Sequence, residues 1–192
     1  MLSDYQQELR DRFLSVPEVP APLPWQRVWQ NRNPIGGLIG IGFAADPQSG
    51  RDLVLVNSFG GLGLFDAVTG EKIARDRDPD PDSIMSDLLQ PGIGPVSGSQ
   101  VFTAGLYGGG LHTVTDDGWS LEVVSPEWPN DRVLLSTDGG IPHSGPHGEK
   151  WWHVFHSHYS ELRAVGFSPT GRTLAVATSS DLTLWTRETP AA

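Results

Sequence analysis

The chain contains no cysteine, so it offers no disulfide, no thiolate metal ligand and no cysteine nucleophile. It also has no apolar run long enough to cross a bilayer, and its first twenty residues carry acids and glutamines where a leader would be basic and apolar. These absences predict a cytoplasmic protein that does not associate with membranes. No cofactor is indicated.

Basic residues are scarce. The chain has 13 Lys and Arg against 23 Asp and Glu, which gives a formal net charge of −10. Nucleic-acid phosphates attract Lys and Arg, so this balance predicts that the protein does not bind nucleic acid. A protein partner of basic charge suits it better.

Catalytic signatures are absent as well. There is no Gly-x-Ser-x-Gly elbow, no phosphate-binding loop that ends in Lys-Ser or Lys-Thr, and no His-Glu-x-x-His helix. The sequence shows no nucleophile, base and orienting group in a recognisable arrangement. We therefore expect a protein that is not an enzyme.

Glycine and proline are plentiful, with 23 and 16 copies spread between strand-like runs. Such spacing is typical of the turns of an all-β fold. One helix is predicted over Ser3–Leu14, where Ser3 and Gln6 have capping-box spacing, and a proline-rich connector follows. We divide the chain into a helix and arm (1–24), a β domain (25–188) and a tail (189–192).

The clearest strand pattern lies near the C-terminus. Residues alternate over Leu162–Phe167, and Ser168–Gly171 reads Ser-Pro-Thr-Gly, in which proline presets one turn angle and glycine accepts a positive one. A second strand follows over Thr173–Thr178, and a polar turn that ends at Asp181 leads into Leu182–Trp185. Three consecutive antiparallel strands are predicted.

This segment resembles a WD40 repeat through its Phe-Ser-Pro-x-Gly turn (residues 167–171), Asp181 and Trp185. Thr186 departs from the family, which has Asp after the Trp. The resemblance implies one blade of a β-propeller. It also implies that His158, or else His156, is the structural histidine that hydrogen-bonds within the blade.

A propeller requires repetition, because one blade cannot bury both of its faces. Residues 53–73 repeat the layout, with Phe65-Asp66 in the Trp-Asp position, and 101–124 repeat it more loosely. Further strands are predicted at Arg132–Ser136 and Trp151–Phe155. The resemblance implies a small propeller of about four blades. Residues 25–29 (WQRVW) would supply the outer strand of the last blade, or an open half-ring would be completed by dimerisation.

Tryptophan is the best candidate anchor for a partner, because exposed Trp is enriched in protein interfaces. Trp128 lies in a proline-bounded loop, and adjacent Trp151 and Trp152 must point to opposite faces of a strand, so at least one is expected to be exposed. With nearby Asp116 and Asp117, these residues form the predicted contact surface.

Histidine supplies the other chemical cluster, since five of the six lie between positions 143 and 158. The metal-ligand candidates are His143, His147, His156 and His158, although no carboxylate stands beside them at metal-site spacing. Packing and surface roles are the alternative. An alternating aspartate run from Asp76 to Asp82 also resembles the start of a calcium loop, but proline replaces its essential glycine.

Together these features favour a non-catalytic interaction module, a scaffold or adaptor that presents loops on a rigid WD40-like propeller. Two alternatives stay open. One is an acidic immunity-type or antitoxin-type inhibitor of a basic enzyme. The other is a metal-dependent hydrolase that uses the histidines of residues 143–158.

Overall fold

Three antiparallel sheets and one α-helix form the protein in its computed structural model, which describes residues 2–79, 88–137 and 143–188. The predominance of strands confirms the predicted all-β class. The tail, and Asp80 and Asp82 of the aspartate run, lie outside the described residues.

The C-terminal sheet has the predicted strands. They are β12 (Leu162–Phe167), β13 (Thr173–Thr178) and β14 (Asp181–Thr186). In the turn between β12 and β13 the amide of Gly171 donates to the carbonyl of Ser168 at 2.9 Å, and Gly171 has a φ of +68°. Proline and glycine therefore act at this turn as the sequence predicts.

The first residues of the β domain complete this sheet. Strand β1 (Gln26–Arg27) pairs with the end of β14, and β2 (Asn33–Pro34) pairs with its start. The prediction that residues 25–29 add an outer strand to the C-terminal sheet is confirmed. Trp25 is buried beside this pairing, where its ring stacks on Phe167 with centroids 5.4 Å apart.

The first sheet along the chain has six strands. Its meander comprises β3 (Leu38–Ala45), β4 (Asp52–Ser58), β5 (Gly61–Asp66) and β6 (Lys72–Asp76). Strands β7 (Leu89–Pro91) and β8 (Gln100–Gly105), separated by a 3₁₀ turn at Gly94–Val96, extend it because β8 pairs with β3. The sheet curls into a half-barrel.

This pairing corrects the expectation that residues 101–124 form one repeat. Strand β8 belongs to the β3–β8 sheet, whereas β9 (Ser120–Glu127) lies in a different sheet with β10 (Asn130–Ser136) and β11 (Trp151–His156). The predicted strands at 132–136 and 151–155 are confirmed. Residues 111–115 form only isolated bridges, such as His112 to Phe167.

The β12–β14 sheet lies between the other two. One face, with Leu182 and Leu184, packs on Val54 and Val56 of the β3–β8 sheet. The opposite face packs on the β9–β11 sheet; the residues in this second core include Leu174, Val176, Trp185, Val133, Leu135 and Phe155. The order in space is therefore β9–β11, β12–β14, β3–β8, as expected of sheets that stack in succession.

Both ends of the stack are covered. On the β3–β8 sheet Val96 and Val101 cover Leu53, Leu55 and their neighbours. On the β9–β11 sheet the helix α1 (Asp4–Ser15) covers Leu134 and Trp151 with Phe13. Helix α1 begins with the predicted capping box. The described residues form an open stack of three sheets, and neither a closed ring nor the expected count of about four blades is shown.

Candidate functional site

A mostly apolar groove of about 380 Å³ runs between α1 and the turn that joins β9 to β10. Trp128 forms its rim and is 83% exposed. Leu2, also exposed, lies at the start of the helix on the same groove. Its other apolar walls are Leu9, Phe13, Val124 and Pro126.

A buried arginine fixes the position of the helix that forms one wall. The guanidinium of Arg132 donates through Nη1 to the carbonyls of Phe13, at 2.5 Å, and Val16, at 3.2 Å. Its Nη2 binds Glu127 Oε1 at 2.9 Å, and this hydrogen bond is the main reason that the pKa of Glu127 is lowered. A cation at the C-terminal carbonyls of a helix also favours the helix dipole.

A second arginine joins the two walls directly. Arg10 Nε donates to the carbonyl of Pro126 at 2.8 Å. Arg10 and Arg132 thus both connect α1 to the wall that carries Trp128, so the groove is formed before any partner arrives.

The expectation that Trp151 or Trp152 would be exposed is wrong. Trp151 is 1% exposed; it packs edge-on against Phe13 at 6.3 Å and its Nε1 donates to the carbonyl of Gly145. Trp152 is half-buried on the other face, 6.2 Å from Trp119. Trp151 and Trp152 point to opposite faces of the β9–β11 sheet as predicted, but both faces are covered, so neither ring is fully exposed to solvent.

Asp116 and Asp117 lie on a different depression, of about 310 Å³, which Thr170 and Arg187 also line. Asp117 pairs with Arg187 and accepts a hydrogen bond from Thr115 at 2.7 Å. The bond to Arg187 is the main reason that the pKa of Asp117 is lowered. The two aspartates therefore do not line the Trp128 groove.

The candidate histidines do not form one cluster; each contacts a carboxylate or an aromatic or imidazole ring. His143 Nδ1 lies 2.6 Å from Glu122 Oε2. His156 Nε2 lies 3.2 Å from Glu127 Oε1, at ion-pair distance, and its ring centroid is 3.7 Å from that of the exposed His158. Burial lowers the pKa of His147, which packs edge-on to a Trp ring, and also that of His156.

Among residues 2–79, 88–137 and 143–188, no group of three or more His, Asp or Glu side chains is placed to hold a metal ion. The sequence spacing did not predict the two carboxylates that contact these histidines. They are Glu122 and Glu127 of β9, which contact His143 and His156. His153, one of the five clustered histidines but not a ligand candidate, is buried, and its Nε2 contacts the carbonyl of Phe155 at 3.1 Å. The described residues thus give the hydrolase alternative no support.

Several residues that carry the WD40 resemblance are buried in the core or stabilise turns. Phe65 and Trp185 are buried, and the carboxylate of Asp66 accepts bonds from the amides of Val68 and Thr69 at 2.8 and 2.7 Å. Asp181 begins β14. The exposed ring of His158 lies 3.7 Å from that of His156 at an interplanar angle of 43°, a different environment from the one that the resemblance implies.

A comparison with known proteins finds no family model and no curated protein that matches this sequence. Within the residues that the structure describes, no helix combines the length and the apolar character that a membrane crossing requires.

Proposed function

We propose that the protein is a non-catalytic, cytoplasmic interaction module that binds a protein partner in the groove between α1 and the β9–β10 turn. The observation that carries this proposal is Trp128, a large apolar side chain that is 83% exposed on the rim of an apolar groove. Exposed aromatic anchors of this kind dominate the binding free energy of many interfaces.

The partner that fits this groove presents an apolar side chain flanked by basic residues. The groove is lined mainly by apolar side chains together with Arg10. Asp4, Glu8 and Asp11 on the exposed surface of α1 are nearly balanced by Arg10 and Arg12, so the preference for a basic partner rests on the net charge of −10 of the whole chain. Apolar contact then supplies the affinity, and charge complementarity favours basic partners over acidic ones.

The scaffold in this proposal is an open, WD40-like propeller segment. Three successive stacked sheets, a WD40-like turn at 168–171 and an outer strand supplied by the opposite end of the chain support it. Because α1 and β7–β8 cover the two end faces, we propose that the stack acts as a monomer and does not complete a ring by dimerising through those faces.

Trp128→Ala tests the proposal, with Tyr159→Ala as the matched control because Tyr159 is 93% exposed and does not line the groove. We expect both variants to keep the thermal stability of the original protein. Proteins that copurify from the source cell are quantified by mass spectrometry, and the affinity of the recovered partner is then measured with purified components. Loss of the same partner with Trp128→Ala alone, and at least tenfold weaker binding, is expected. Equal recovery with both variants would contradict the proposal.

The inhibitor alternative is favoured by the net charge of −10 alone. An acidic cap on a basic enzyme associates through charge, so its affinity falls steeply with added salt. Binding through the Trp128 groove should weaken only slightly over the same salt range. Salt titration of the purified complex therefore separates the two functions.

A further inference from the structure

Three of the chain's few cations line one pocket. Lys72, Arg75 and Arg77 surround a space of about 400 Å³ at the edge of the β3–β8 sheet. No carboxylate is among the described residues that line it, and none of the three cations forms an ion pair with another described residue. Glu71, Asp76 and Asp78 balance these charges along the segment but do not line the pocket, so the pocket lining carries positive charge alone.

A β-bulge brings the three cations to one face. Leu64 pairs with Ala74 but the next residue, Phe65, pairs with Lys72, which leaves Ile73 as the extra residue on β6. In a regular strand Lys72 would point away from Arg75, since side chains alternate. The bulge reverses that alternation, so that Lys72 shares a face with its partner Phe65 and with Arg75.

The guanidinium of Arg75 lies beside two glycines of β5 and the turn before it. Arg75 Nη2 donates to the carbonyl of Gly60 at 2.5 Å, and a Cβ on Gly60 would lie 3.0 Å from that nitrogen. A Cβ on Gly63, directly across from Arg75, would lie 3.5 Å from Nη1. The hydrogen bond to Gly60 thus orients the guanidinium beside the two glycines, and its other N–H groups can donate to a ligand.

An apolar wall faces the cations. The centre of the Phe65 ring, a largely buried side chain, lies 5.3 Å from Lys72 Nζ, and Ile35 from the segment between β2 and β3 lines the same space. The volume lies in the range of small-molecule sites. An Arg pair with a Lys suits the several oxygens and double negative charge of a phosphate group better than the single charge of a carboxylate.

We propose that this pocket binds a small organic phosphate, with the phosphate group between Lys72, Arg75 and Arg77 and the apolar part against Phe65 and Ile35. Cations that line one pocket repel one another, and a dianion bound there relieves that repulsion. The site is separate from the Trp128 groove and does not depend on the proposed partner-binding function.

The test is an amide chemical-shift titration of the full chain with inorganic phosphate and with phenyl phosphate, at constant ionic strength. We expect saturable shifts at Gly60, Gly63 and Lys72, with phenyl phosphate at least fivefold tighter because of its ring. Lys72→Gln and Arg77→Gln should each weaken phenyl phosphate binding at least fivefold. Arg51→Gln is the matched control, since it removes the same charge at the opposite end of β4, and it should leave the Kd unchanged.

Three results would overturn the proposal: no saturable shift at these amides, equal Kd values in the pocket variants and in Arg51→Gln, or acetate binding as tightly as phosphate at the same amides. Because Lys72 and Arg77 are exposed, their variants should fold, and their unperturbed spectra without ligand verify this. Trp128→Ala should bind phenyl phosphate normally, so failure of the groove and failure of the pocket are distinguishable.

Discussion

Asp52 is a carboxylate that joins two sheets. It is 3% exposed, and its oxygens accept hydrogen bonds from the hydroxyl of Thr170 at 2.8 and 3.0 Å and from that of Thr173 at 2.9 Å. Asp52 is the first residue of β4, whereas Thr170 lies in the turn before β13 and Thr173 is the first residue of β13. Hydrogen bonds to a charged group are stronger than neutral ones, so this contact fixes the β3–β8 sheet against the β12–β14 sheet.

We predict that Asp52→Ala lowers the free energy of unfolding by about 2 to 3 kcal/mol, because charged hydrogen bonds are lost and the buried hydroxyl of Thr173 keeps no partner from β4. Urea unfolding at pH 7 measures the change. Asp116→Ala removes the same charge from an exposed position and should cost less than about 0.5 kcal/mol. A similar cost for both variants would show that Asp52 does not join the sheets.

His153 should make stability depend on pH. Burial, and secondarily the charge of Arg132, lowers the pKa of His153 to about 4 from an ordinary value near 6.5. Above pH 6.5 the imidazole is neutral in both the folded and the unfolded chain. Between pH 6.5 and 4 the unfolded chain takes up a proton that the folded protein does not, so the free energy of unfolding falls as the pH falls, by up to about 3 kcal/mol.

The measurement is urea unfolding of the original protein and of His153→Gln from pH 7 to pH 4.5. The variant should lose stability less steeply over this range, while the exposed His112→Gln retains the original slope. His156 and His147, whose pKa values burial also lowers, leave a residual slope in the variant. Identical slopes in all three proteins would contradict the assignment.

At the scale of the element, glycines decide which strands pair. A Cβ on Gly42 would lie 2.1 Å from the carbonyl oxygen of Phe102, and one on Gly40 would lie 2.8 Å from that of Ala104. On the partner strand, a Cβ on Gly105 would lie 2.1 Å from the carbonyl oxygen of Ile39. Strands β3 and β8 can approach this closely because Gly40, Gly42 and Gly105 place no Cβ at these three backbone contacts.

Gly42→Ala should therefore separate β8 from β3. The clash is with backbone, which cannot move aside, so we expect a loss of about 2 kcal/mol or more in the free energy of unfolding and faster amide exchange in β7 and β8. Gly110→Ala is the control, because a Cβ there meets nothing within 4 Å, and it should change neither quantity by much. Unchanged exchange in β8 of Gly42→Ala would contradict this account.

The sequence predicted the strands whose signals are local and failed where a strand pairs with a distant segment. Alternation and turn chemistry located β12, β13 and β14, because those signals are local to each segment, whereas the outer strand β1 was expected only from the resemblance to a propeller. The assignment of residues 101–124 to one repeat failed because β8 pairs with β3. That pairing depends on Gly40 and Gly42, which lie some sixty residues earlier in the chain. Trp151 was misplaced for a related reason, since no local signal shows that α1 covers its face.

The candidate site was foreseen only in part. Trp128 stands out in the sequence because prolines at positions 126 and 129 bound its loop, and the structure leaves it exposed. The groove beside it depends on α1, whose position is fixed by Arg132, more than one hundred residues away along the chain. In the proposed phosphate pocket, Lys72 shares a face with Arg75 only because of the bulge at Ile73, which strand alternation alone would not predict.

At the scale of the whole molecule, the central position of the β12–β14 sheet makes the three sheets interdependent. Its Leu184 belongs to the core shared with the β3–β8 sheet, and its Leu174 belongs to the core shared with the β9–β11 sheet. Neither outer sheet contacts the other through these two cores. Cooperative unfolding of the molecule must therefore pass through the central sheet.

We predict that Leu184→Ala lowers the free energy of unfolding by about 2 to 5 kcal/mol, the usual cost of a cavity at a fully buried leucine. Amide exchange under native conditions locates the effect: protection should fall together in β4, β13 and β10, although β10 has no contact with the mutated core. Val123→Ala, at a largely exposed position on β9, should leave all three unchanged. If protection falls in β4 and β13 but not in β10, the β9–β11 sheet unfolds on its own and the stack is two cooperative units; the helix and groove would then belong to a unit that folds without the phosphate pocket.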